Sequence, residues 1–331
     1  MASIARWAHR DLTKRAHAIQ ACHRSLSTST LAYKDAEEPS SAQELKTTTK
    51  TALDAGRSVA DNSATSSSTT IDFGFQHVQK DQKQNLVRQV FSSVAPSYDV
   101  MNDLMSGGLH RMWKDRLVEI LAPFPGSKHI DVAGGTGDVA FRVLRAIEGA
   151  EGLRDECNLP EDRKGGVTVF DINPEMLEEG KKKASMAIGV APLRLEWVEG
   201  SAEELPFDDN TFDSYTIAFG IRNVTNRPAA LAEAYRVLRP GGRFLCLEFS
   251  KVTVPGLQQI YDEYSFRVIP EVGKLVAGDA ESYRYLVESI RMFPGQEEFK
   301  EMIEAARFQS VGYENLTAGV VAIHSGIVGR K

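Results

Sequence analysis

The run HIDVAGGTGDVAFRVLRAIE, residues 129–148, constrains the fold more than any other stretch of the chain. A short apolar run of strand character enters a turn built from small residues, and the apolar positions that follow recur at helical spacing. A strand that hands over to a helix through so tight a turn opens a βαβ unit, whose second strand lies parallel to the first. The same small residues let the backbone approach a ligand at the helix N-terminus, where unpaired N–H groups point outward.

The alternation continues along the chain. Strands are expected at VTVFDI (167–172), LRLEWVEG (193–200), FDSYTIAFG (212–220), RFLCLEFS (243–250), SVGYENLT (310–317) and VVAIHSG (320–326), with helices between them. This predicts an α/β fold with a doubly wound, mostly parallel sheet, in which the last hairpin-like pair supplies an antiparallel edge strand. In TNRPAALAEAYRVLRPGG (225–242), Asn226 caps a helix and Pro228 suits its first turn. Leu231, Ala234, Val237 and Leu238 form its buried stripe, and Pro240-Gly241-Gly242 stops it. The polar span 148–166 reads as a surface loop.

The domain is placed at residues 71–331. Residues 1–30 hold five Lys/Arg against Asp11 alone and put Ile4, Trp7, Ala8, Leu12 and Ala16 on one helical stripe, the composition of a mitochondrial transit peptide. Residues 31–70 are rich in Ser, Thr, Glu, Lys and Ala and poor in large apolar side chains, so they read as a disordered linker. Beyond residue 30 the balance is 34 Lys/Arg to 44 Asp/Glu, which argues against sequence-independent nucleic-acid binding. Cys22, Cys157 and Cys246 have no metal-like spacing, so neither a metal site nor a disulfide framework is expected. No apolar run approaches the roughly 18 residues of a membrane span, and any membrane contact is expected to be peripheral.

Several residues converge on a nucleoside-like ligand. Asp171 ends the second strand, where a carboxylate can accept from both ribose hydroxyls. Because Asn173 and Pro174 supply the cap and first turn of the next helix, Asp171 is expected to be free for a ligand. Asp131 approaches the loop of Gly135, Thr136 and Gly137, and Ser201 and Ala202 follow the third strand beside Leu205, Pro206 and Phe207, a surface suited to adenine. The loop also satisfies G-x-G-x-x-A from Gly135, which a dinucleotide enzyme shares.

With LPFDDNTFD (205–213) and VLRPGGRF (237–244), the loop DVAGGTG (131–137) resembles the D-x-G-x-G-x-G of class I S-adenosylmethionine-dependent methyltransferases, with Ala133 at the first glycine. That resemblance implies a seven-stranded sheet. Five blocks then resemble the ubiquinone and menaquinone C-methyltransferase family: YDVMNDLMSGGLHRMW (98–113), FGIRNVTN (219–226), RVLRPGGRFLCLEFS (236–250), YSFRVIP (264–270) and DAESYRYLVESIRMFP (279–294). The likeness implies methylation of a ring carbon of 2-methoxy-6-polyprenyl-1,4-benzoquinol by S-adenosylmethionine. It further implies a homodimer associated with other ubiquinone-biosynthesis proteins at the matrix face of the inner membrane.

The chemistry needs a ring carbon activated by loss of a hydroxyl proton whose ordinary pKa is about 10. Arg222 can stabilise the phenolate or help to activate a water, and Asn223 can bond a ring oxygen; as the competing reading, Arg222 braces a carboxylate, Asp99 or Glu248. His110 has the range of a base, with Asp99 to orient it or take the proton directly. Tyr98 and Asn102 are expected to line the pocket, Tyr264 and Tyr283 to cover the quinol and its tail, and Ala218 to adjoin the cofactor without a hydroxyl contact. An NAD-dependent oxidoreductase and a catalytically idle scaffold remain as alternatives.

Overall fold

The computed structural model describes residues 70–95, 102–103, 106–152, 164–187, 192–268 and 280–330. The leader, residues 31–69 of the linker, Tyr98 and Asp99 lie outside these residues, while Thr70, read as the end of the linker, already opens a strand. A hairpin of β1 (Thr70–Phe73) and β2 (Gln76–Gln79) precedes α1 (Lys80–Val94) and α2 (Leu109–Leu121). The alternating body comprises β3 (Lys128–Val132), α3 (Asp138–Gly152), β4 (Gly166–Asp171), α4 (Pro174–Met186), β5 (Leu195–Glu199), β6 (Phe212–Ala218), α5 (Arg227–Val237) and β7 (Leu238–Phe249). Then come α6 (Leu257–Glu263), α7 (Ala280–Met292), α8 (Gln296–Ala305), β8 (Phe308–Leu316) and β9 (Val321–Val328).

Seven strands form one sheet in the order β5-β4-β3-β6-β7-β9-β8, parallel except for β9. The antiparallel strand therefore lies one place in from the edge. Its sequence explains the placement: VAIHSGIV is buried along most of its length, whereas FQSVGYENL of β8 is mostly half-buried or exposed and suits an edge. The chain winds outward from β3 through β4 to β5, then returns to β6 on the other side of β3. A crevice opens at such a reversal, outside the carboxyl ends of the strands.

The strand alternation divides the core into two layers. On one face, Val167, Val169, Leu245 and Leu247 pack against Trp113, Leu117 and Leu121 of α2 and against the apolar stripe of α3. On the other, Ile130, Val132, Tyr215, Ile217 and Phe244 meet Leu231 and Ala234 of α5 and Phe299 of α8.

Both expected caps form: Asn173 Oδ1 accepts from the Met176 N–H at 3.0 Å, and Asn226 Oδ1 accepts from that of Ala229 at 3.2 Å. α5 nevertheless ends at Val237, before the Pro-Gly-Gly, because Leu238 is already paired with Phe212 in the sheet. The span 148–166 is loop only in part, since α3 continues to Gly152. Glu151 Oε1 there accepts from the Gly126 and Gly165 N–H groups and pairs with Arg194.

Candidate cofactor and methyl-transfer site

A cavity of about 1080 Å³, counting its open mouth, occupies the crevice at the ends of β3, β4, β5 and β6. Its floor is the turn after β3. Gly135 takes a left-handed φ of 54°, and a Cβ there would meet Met176 Cε at 3.0 Å, so only glycine leaves this backbone open to the cavity. Ala133 takes φ 52°, a conformation costing an alanine roughly 1–2 kcal/mol. Gly220, across the crevice, accommodates it: any Cβ on Gly220 would collide with Ala133 Cβ.

Two acids face this floor. Asp131 is 1% exposed, its Oδ1 accepts from Thr216 Oγ1 at 2.7 Å, and its Oδ2 is buried without a protein partner. Burial pushes its pKa up to about 7, against the pull of the Thr216 hydrogen bond and the Lys114 charge. Asp171 is likewise raised by burial to about 6. It is less free than expected: Oδ2 accepts from the Gly135 N–H and Oδ1 from the Asn173 N–H, both at 2.8 Å. A carboxylate has lone pairs beyond these two bonds, so Asp171 can hold the loop and still accept from a ligand.

Of the residues expected to contact a cofactor, Asp131, Gly135, Thr136, Asp171, Ser201, Ala202 and Ala218 all line the cavity. Gly137 does not. Its φ is 83°, and a Cβ would strike Trp197 and Phe141 at 2.9–3.0 Å, so its small size serves turn and packing. Phe207 is also displaced from the expected adenine surface, packing edge-on against Phe170 and Phe212, while Phe170, Ile172 and Met176 supply apolar wall instead. An orphaned buried carboxylate oxygen, a bare glycine backbone and a mixed apolar wall fit an adenosyl ligand with donor groups.

The residues expected at the methyl acceptor are more dispersed. Asn223 lines the cavity, and its Oδ1 accepts from Tyr285 OH at 3.0 Å, a tyrosine stacked in turn on Phe73. Arg222, next to it, is directed elsewhere. Its side chain is 4% exposed, Nη1 lies 2.8 Å from Glu248 Oε1 and also donates to the Phe219 carbonyl, and the guanidinium lies over the Phe249 ring. This is the carboxylate brace, with Glu248 as the partner. The physical reason is strand parity: Glu248 points into the layer beneath Arg222, where a buried carboxylate requires a cation.

His110 is 5% exposed and is not among the lining residues; its Nε2 lies 2.8 Å from Asp103 Oδ1 and its Nδ1 has no partner. Asp103 takes the orienting place proposed for Asp99. Burial lowers the His110 pKa, while the Asp103 hydrogen bond works against that shift. The Asn102 carbonyl accepts from Ser106 Oγ at 2.6 Å, and its residue does not line the cavity. Tyr283 is buried and Tyr264 is at the surface; neither lines it.

Two contributors were missed. Lys114, one helical turn after His110, lines the cavity and donates to Asp138 Oδ2 at 2.8 Å. Burial alone would raise Asp138, but the Lys114 charge and hydrogen bond outweigh it and hold that carboxyl low. The HRMWK spacing places Lys114 and His110 on one helix face, a signal that was available. The second is α1, whose Gln84, Val87, Arg88 and Phe91 cover the cavity.

Comparison with known proteins places the chain. The model of the ubiE/COQ5 methyltransferase family matches residues 76–328. The "2-methoxy-6-polyprenyl-1,4-benzoquinol methylase, mitochondrial" of Oryza sativa subsp. japonica is 59% identical over 256 residues, covering 77% of this chain and 87% of the relative. Its Homo sapiens counterpart of the same name is 56% identical over 273 residues, 77% of this chain and 83% of the relative. The "Ubiquinone/menaquinone biosynthesis C-methyltransferase UbiE" of Brucella abortus (strain S19) is 55% identical over 256 residues, 77% and 89% of the two chains. The chain belongs to the ubiE/COQ5 methyltransferase family.

Proposed function

We propose that this chain methylates a ring carbon of 2-methoxy-6-polyprenyl-1,4-benzoquinol in ubiquinone biosynthesis, using S-adenosylmethionine. The observation that carries the reading is the joint one: relatives 56–59% identical bear that activity in their names, and the loop and acids of an adenosyl site line one cavity here. The oxidoreductase alternative has no such support.

S-adenosylmethionine supplies an electrophilic methyl group. Asp131 Oδ2 would accept from a donor group of the cofactor, Asp171 would accept from the ribose, and Ser201 and Ala202 would flank the adenine. Asn223 orients the quinol: Tyr285 occupies its Oδ1, leaving the amide N–H groups to donate to a ring oxygen. Arg222, paired with Glu248, positions the turn that carries Asn223. His110, held by Asp103, lies outside the cavity lining, so we assign it no part in taking the hydroxyl proton. Holding ring and methyl in line supplies a further large part of the rate.

We place the chain in the mitochondrion, on the composition of residues 1–30 and the names of its relatives. Peripheral attachment to the matrix face of the inner membrane, a homodimer and association with other ubiquinone-biosynthesis proteins complete the proposal. Among the described residues no helix is long and apolar enough to cross a membrane.

The test is incubation of the full chain with methyl-labelled S-adenosylmethionine and a short-chain demethyl benzoquinol, followed by NMR of the product. Label on a ring carbon is expected; label on oxygen, or no transfer, contradicts the proposal.

A further inference from the structure

The sheet face beneath α2 and α3 is largely apolar, with a polar stripe along β3 and β6. Ile130, Val132, Tyr215 and Ile217 point to the opposite face, so His129 and Asp131 of β3 point to this one, beside their β6 partners Ser214 and Thr216. All four are buried, His129 and Thr216 completely. Polar side chains in such a layer cost free energy unless they pair. Here they pair in series: Ser214 Oγ lies 2.8 Å from His129 Nδ1, His129 Nε2 lies 2.9 Å from Thr216 Oγ1, and Thr216 Oγ1 donates to Asp131 Oδ1 at 2.7 Å.

Counting hydrogens gives the series a direction. A threonine hydroxyl has one hydrogen, and once that is donated to the carboxylate the oxygen can only accept from His129. Nε2 therefore carries the imidazole proton, and Nδ1 accepts from the Ser214 hydroxyl. Every donor points toward Asp131, an arrangement in which each bond polarises the next. Burial keeps the imidazole neutral by pushing its pKa down to about 3. The charged groups that act on Asp131 are Lys114 from α2 and Asp171 from β4. The series ends at a carboxylate that lines the cavity and whose second oxygen has no protein partner.

We propose that His129 is a positioning residue for the cofactor: acting through Thr216, it holds the Asp131 carboxylate ionised and aligned, with Oδ2 presented to a donor group of S-adenosylmethionine. The proposal rests on the methyltransferase reading above. It assigns a binding role to a side chain that never touches the ligand.

Two measurements test it on the full chain. In ligand-free protein labelled with 15N-histidine, at pH 8, His129 shows a protonated Nε2 and a bare Nδ1. In calorimetry with S-adenosylhomocysteine, His129→Leu binds about tenfold more weakly than the parent, while kcat at saturating S-adenosylmethionine changes by less than about twofold. His129→Gln, whose amide can donate to Thr216 and accept from Ser214, restores the affinity. If His129→Leu does not fold, the near-isosteric Thr216→Val carries the test and shows the same loss. An Nδ1-protonated tautomer overturns the proposal, as does parental affinity in the leucine or valine variant. A parent chain that binds no S-adenosylhomocysteine overturns the methyltransferase reading and this proposal with it, a failure distinct from a variant that binds as the parent does.

Discussion

The two halves of the cavity are built differently. The cofactor half is a set of backbone turns at strand ends, fixed by short bonds from Asp171 to Gly135 and Asn173, with Asp131 held by Thr216. The acceptor half depends on side chains held by other side chains: the Tyr285 hydroxyl donates to Asn223 Oδ1, and Glu248 pairs with Arg222. A binding surface made of backbone turns is set by where glycines and strand ends fall in the sequence. One made of long side chains depends on what the rest of the fold presents to them.

The sharpest way to break this contrast is at Arg222. Arg222→Ala leaves Glu248 buried without its cation and should lower unfolding free energy by about 3–5 kcal/mol in urea titrations. The double variant Arg222→Met/Glu248→Leu should recover most of the loss. Full stability in the single variant would show that the pair is not the brace described.

The cofactor half is tested next at Gly135→Ala. The φ of 54° and the Met176 contact make a Cβ costly there, so affinity for S-adenosylhomocysteine should fall by about tenfold and unfolding free energy by about 1–2 kcal/mol.

A third test uses pH. With pKa values near 7 for Asp131 and 6 for Asp171, ligand donors that prefer the carboxylate form should displace protons on binding. Calorimetry should show affinity rising several-fold from about pH 5.5 to 7.5 and then levelling, with Asp131→Asn flattening the upper part. In the free protein the sign is opposite. Both pKa values are raised above those of the unfolded chain, so their ionisation costs stability, and this contribution falls as pH rises from about 4 through 7.

The smallest effect is at a helix cap that borders the cavity without lining it. Asn226→Ala removes the α5 cap and should cost about 1 kcal/mol in urea titrations without changing turnover.

The same contrast explains what the sequence reveals. Strands such as VTVFDI are legible because burial on both faces demands a mostly apolar, β-branched run, and the adenosyl site is legible because a glycine turn at a strand end is accompanied by acids at two strand ends. The Arg222–Glu248 pair is legible only as one alternative, since choosing it over Asp99 requires knowing which face of β7 Glu248 points to. Phe207 leaves the expected adenine surface for a related reason: Phe170 and Phe212 offer it ring partners that lie 37 and 5 residues away, which composition does not reveal. The cover formed by α1 has the amphipathic pattern of any surface helix, so its contact with the cavity emerges only from packing.

The most direct test of the account is calorimetric titration of the full chain with S-adenosylhomocysteine and, separately, with NADH. The account predicts saturable one-site binding of S-adenosylhomocysteine that Gly135→Ala weakens, and no heat from NADH. Saturable NADH binding that S-adenosylhomocysteine does not displace would contradict it.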